Sequence, residues 1–149
     1  MEFALLGAIC VAEAGQVCQI KPTRSFDLLA QSVSHARHAI QIERHPLGLT
    51  TLGRILFEQM KQSAEGSEKS FNEAFEYVDE AIRLEGSNNR IAIHPYTTLF
   101  NGVGNYIKQS GALAPKQGDT VHKHLENAEQ IFHYDGQLLG LASALKQQL

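Results

Sequence analysis

Two apolar patterns that alternate along this chain restrict its fold more than any other feature. "AIQIERHPLGLTTLG" at 39–53 is echoed by "AIRLE" at 81–85 and "HPYTTLF" at 94–100. The first pattern reads Phe3, Leu6-Gly7, Cys10, then Leu49, Leu52-Gly53, Leu56, then Tyr96, Leu99-Phe100, Val103, and finally Gly136, Leu139-Gly140, Ser143. The second reads Ser32, Ala36, Ala39, then Ala74, Val78, Ala81, then Val121, Leu125, Ala128. Spacings of three and four place such residues on one face of an α-helix. A sequence built this way describes helix pairs whose apolar faces are covered only when a neighbouring pair stacks on them.

Helical spacing continues through 3–13, 26–43, 48–64, 70–85, 96–109, 119–133 and 137–148, which predicts seven helices. The breaks carry turn residues: Gly15 and Pro22, His45-Pro46, Gly66-Ser67, Gly86 with Asn88 and Asn89, then Gly111, Pro115 and Gly118. "RIAI" at 90–93 is the one strand-like fragment and is too isolated to build a sheet. The expectation is an all-α chain forming a single domain, with units at about 1–46, 47–93 and 94–134 and a capping helix at 136–149.

At 149 residues and 43% hydrophobic content, the chain is large enough to bury a core. A net charge of -3 without a basic stripe argues against nucleic-acid binding. Cys10 and Cys18 form no C-x-x-C pair, so neither a zinc site nor a disulfide framework is expected, and a cytoplasmic location fits best. "FALLGAICVA" followed by Ala12-Glu13-Ala14 imitates a signal peptide, but Glu2 stands where a leader carries positive charge. No stretch is long enough to span a bilayer, so no membrane partner is expected.

The paired helices resemble the tetratricopeptide-repeat family, whose first helix carries W-x2-L-G-x2-Y and whose second carries A-x3-F-x2-A-x4-P. The resemblance covers nearly the whole chain and is carried best by Leu49, Leu52, Gly53, Leu56, Val78 and Ala81. Phe3, Leu49, Tyr96 and Gly136 are 46, 47 and 40 residues apart, against roughly 34 in the family, so extra residues are inserted. Phe100 stands where a small residue belongs, which should open the helix crossing of the third unit. The resemblance implies a right-handed superhelix of antiparallel helix pairs that binds a peptide or protein partner in a concave groove. Groove positions carried over from the family are Thr50, Arg54, Phe57 and Glu58 in the second unit and Thr97, Asn101 and Asn105 in the third. The first unit offers Ala4, Ala8, Val11 and Ala12, an apolar patch suited to a preceding repeat or to homo-oligomer contact. The run at 36–60 is also similar to helical repeat regions at the C-terminal ends of large bacterial signalling or defence proteins.

Catalysis has thin support. His35 and His38 share a helix face and motivate an alternative, a small metal-dependent or hydrolytic helical enzyme, but no carboxylate or Cys stands at ligand spacing beside them. His122 and His124 fall on different faces, and these histidines, with His133, read as surface or cap residues. His45 and His94 precede prolines at helix starts, where a turn role suffices. Asp79 and Glu80 are adjacent and diverge, so they form no acid-base couple. No nucleophile elbow or phosphate-binding loop occurs, and "GVGNYI" lies inside a helix pattern. No catalytic residue, metal or cofactor is therefore expected.

Overall fold

The computed structural model describes residues 22–63, 65–87 and 92–149. The predicted helix at 3–13, Cys10, Cys18 and the apolar patch of the first unit lie outside these residues. Six helices follow one another: α1 (Pro22–Ile42), α2 (Pro46–Gln62), α3 (Ser67–Ser87), α4 (Ile93–Ser110), α5 (Pro115–Ile131) and α6 (Gly136–Gln148). No strand occurs among the described residues, which form an all-α fold.

Every described helix starts earlier than its apolar spacing predicts, by one to four residues. The reason is local chemistry at the N-termini. Pro46 and Pro115 occupy the first helical turn, where the missing N–H costs nothing and the fixed φ is already helical. His45 caps α2, with Nδ1 accepting from the Leu47 N–H at 3.1 Å. His94 differs from expectation: α4 begins at Ile93, so His94 sits inside its first turn rather than ahead of it. At the other end of α4 the chain leaves through Gly111 at φ 94°, a left-handed conformation that favours glycine.

The tightest pairing joins α2 to α3. They run antiparallel, since Gly53 meets Val78 and Ala74 while Phe57 lies 6.0 Å from Phe71 between ring centroids. A Cβ on Gly53 would stand 2.3 Å from Cγ2 of Val78 and 3.2 Å from the Ala74 carbonyl oxygen, so this crossing accepts only glycine without displacement. α1 packs antiparallel on α2 through Ile40 and Gly48. α4 touches α5 far less than α2 touches α3. The core is continuous, with Phe71, Phe100, Phe132, Leu52, Leu99 and Leu125 fully buried and Tyr106 stacked on Phe71 at 3.8 Å. Burial at such sites is the main stabilising term.

Residues aligned by the second pattern are all buried, as are those of the first pattern in α2 and α4. The register predicted for the last helix is wrong. α6 buries Leu138, Ala142 and Leu145, whereas Gly136, Gly140 and Ser143 are exposed and Leu139 is half-buried. Asp135 caps α6 by accepting from the Leu138 N–H at 2.9 Å.

Helices of like type lie beside one another. α2 contacts α4, and α4 contacts α6. Polar rungs join α1 to α3 at Arg37–Glu73 (2.7 Å) and Arg44–Glu80 (2.9 Å). Further rungs join α3 to α5 at Asn72–Gln117 (2.8 Å) and Asp79–His124 (2.7 Å). Both partners in each set advance by seven residues, about two helical turns, so α1, α3 and α5 run parallel. Arg44 and Glu80 are paired through two hydrogen bonds but exposed. Arg44→Ala is accordingly expected to cost less than about 1 kcal/mol in chemical denaturation, with the loss shrinking further in high salt.

Candidate functional site

α2 and α4 run parallel and approach closely where Gly102 faces Phe57. A Cβ on Gly102 would lie 2.5 Å from the Phe57 ring. One turn on, Gln109 Nε2 donates to the Met60 carbonyl oxygen at 3.4 Å. These contacts hold the two helices as the floor of an open groove of about 430 Å³. Six of the seven residues proposed from the sequence line it: Arg54, Phe57, Glu58, Thr97, Asn101 and Asn105.

Their surroundings differ. Arg54 and Asn101 are exposed, while Glu58, Thr97 and Asn105 are half-buried. Phe57, expected as a groove-facing group, is only 5% exposed, because its ring is committed to the gap over Gly102 and to Phe71. It supplies wall rather than a grasping side chain. Thr50 lies one turn before Arg54, outside this groove, in an adjoining cavity of about 300 Å³. It is 8% exposed, and its buried hydroxyl has no hydrogen-bond partner. Burying a hydroxyl without a partner is unfavourable, so Thr50 is a packing residue carrying an unmet polar group.

Lys61, His94 and Thr98 also line the groove and were not singled out from the sequence. His94 was legible, since His94, Thr97 and Asn101 follow the three-four spacing of one helix face. It was missed because the proline after it suggested a turn. Arg54, His94 and Thr98 line both cavities and join them into one face.

The charges on this face are unevenly matched. Glu58 and Lys61 form an ion pair at 2.8 Å along α2, and Thr97 spends its hydroxyl on the Ile93 carbonyl at 3.3 Å. Arg54 makes no ion pair among the described residues, nor does Glu85, which lines the smaller cavity. The exposed amides of Asn101 and Asn105 offer donors and acceptors together. The arrangement can hydrogen-bond an extended backbone and pair with a charged side chain.

The histidines of α1 and α5 fall elsewhere. His35 is half-buried and His38 exposed on α1. His122 is exposed, but His124 is a correction to the expectation of surface histidines: it is 5% exposed. Its Nε2 donates to Asp79 at 2.7 Å and its ring meets Tyr96 edge-on, while Nδ1 is buried without a partner. Burial raises the Asp79 carboxyl, but the His124 hydrogen bond and charge, with Arg83 at 3.2 Å, outweigh it and hold the group below its ordinary value. Glu80 turns instead to Arg44, so the adjacent carboxylates do diverge. Among the described residues, no group of three or more His, Cys, Asp or Glu is gathered as a metal site would require. Likewise no helix there is long and apolar enough to cross a membrane.

No protein-family model matches this sequence, and no curated protein or solved structure is significantly similar to it.

Proposed function

We propose that this chain is a non-catalytic interaction or sensing module that binds a peptide segment of a protein partner in the groove between α2 and α4. The observation that carries this reading is the convergence of Arg54, Glu58, Thr97, Asn101 and Asn105, from two helices separated in sequence by α3, on one concavity. A tetratricopeptide-like solenoid is the architecture that best accounts for it. Its support is the contact of α2 with α4 and α4 with α6, and the parallel rungs joining α1, α3 and α5. The same reading makes the chain a cytoplasmic module, acting alone or as the C-terminal part of a larger bacterial signalling or defence protein.

Affinity capture followed by mass spectrometry tests the proposal. The double variant Arg54→Ala with Asn101→Ala is expected to lose the main partner recovered by the wild type, while its circular-dichroism spectrum and Tm stay near wild type. Both side chains are exposed, so their removal leaves the core intact. Unchanged recovery by the folded double variant would remove the groove as the binding surface.

A further inference from the structure

The cavity that adjoins the groove adds chemistry that the groove alone does not supply. It is walled by Pro46, Leu47, Ile55 and Pro95, with Arg54 at one end and Glu85 at the other. Leu47 remains 49% exposed at its rim, an apolar side chain left largely in water. Thr50 lines the same cavity, its hydroxyl buried behind the wall. Arg54 and Glu85 are opposite charges, neither of which has an ion-pair partner among the described residues.

Helix geometry fixes their separation. Because α3 runs antiparallel to α2, Glu85 lies beside the Pro46–Leu47 end of α2, about two turns from Arg54, or roughly 12 Å along the axis. An extended peptide rises about 3.3 Å per residue and spans that distance in about three to four residues. Resting on the peptide-binding reading above, we infer that this face recognises an extended peptide in which an apolar side chain is flanked by a basic and an acidic residue about three to four positions apart. The apolar side chain fills the cavity beside Leu47 and Thr50. The basic residue pairs with Glu85, the acidic residue with Arg54, and the chain continues over Asn101 and Asn105. Arg54, the one guanidinium among the described residues of this face, favours an acidic side chain within a segment over a multi-point grip on a chain terminus.

Selection from a random peptide library displayed on phage, with the purified 149-residue chain as bait, tests this inference. The wild type is expected to enrich peptides with that order of charges around an apolar residue. Arg54→Glu should replace the acidic position by a basic one, and Glu85→Lys should do the converse, each with at least a tenfold loss of affinity for the wild-type consensus peptide. Arg54 is exposed and Glu85 half-buried, and a circular-dichroism spectrum and Tm near wild type check that each reversal folds. Peptides that need Arg54 and Asn101 but lack the flanking charges, or a consensus indifferent to both reversals, would overturn the inference and leave groove binding standing. Failure to enrich any peptide would overturn both.

Discussion

Gly102→Leu is expected to destabilise the protein by about 3 kcal/mol, the upper part of the usual range for overpacking a well-filled core. The first atom added at Gly102 already falls 2.5 Å from the Phe57 ring, which cannot turn aside freely because Phe71 and the α2 backbone confine it. Gly53→Leu should lower stability to a similar degree, since Val78 and the Ala74 carbonyl stand against it. Gly140→Leu provides the contrast. Nothing lies within 4 Å of a Cβ there, so the better helix propensity of leucine should leave stability unchanged or raise it by up to about 1 kcal/mol. Thermal unfolding followed by circular dichroism reads all three. Equal shifts at the three glycines would mean that the helix crossings are misplaced.

The second large effect concerns the link between α3 and α5. His124→Ala should cost about 2 kcal/mol, because it removes a hydrogen bond to a charged, half-buried carboxylate and leaves a void beside Tyr96. Asp79→Asn separates the charge from the shape and exposes a pH dependence. Asp79 has a depressed pKa in the folded chain, so its contribution is complete above the unfolded carboxyl value of about 3.9. That contribution is lost as pH falls through the lower folded value. Urea unfolding should therefore show the wild type more stable than Asp79→Asn at pH 7, with the gap closing below about pH 4. A gap that persists unchanged into stronger acid would show that the carboxylate charge contributes nothing.

Much of this arrangement is legible in the sequence because the core is periodic. The second pattern placed Ala36, Val78 and Leu125 where they are buried, and the first did so for Leu49, Leu52 and Leu99. The places where spacing failed share a physical cause. Helix starts are set by prolines and caps, as at Pro46, His45 and Asp135, not by apolar period. In α6 apolar residues stand at neighbouring positions, and packing buries Leu138, Ala142 and Leu145 rather than the face that carries Leu139. Gly102 was overlooked because the helix-pair pattern marks the approach of α2 to α3, whereas Gly102 serves the approach of α2 to α4. His124 was equally hidden, since its partner Asp79 is 45 residues away and no local spacing announces it. The groove residues were located by analogy of position, which predicts direction along a helix but not depth. Thr50 and Phe57 therefore turned out buried.

Which face meets the partner decides whether the groove is the binding surface. A photoreactive benzophenone side chain placed at Asn101 lies on the α2–α4 groove, and the same group at His122 lies on the exposed side of α5 away from it. Irradiation with the captured partner is predicted to give a covalent adduct from position 101 and none from position 122, with unlabelled partner suppressing the adduct. Adducts from position 122 and none from 101 would contradict the groove and move binding to the opposite face.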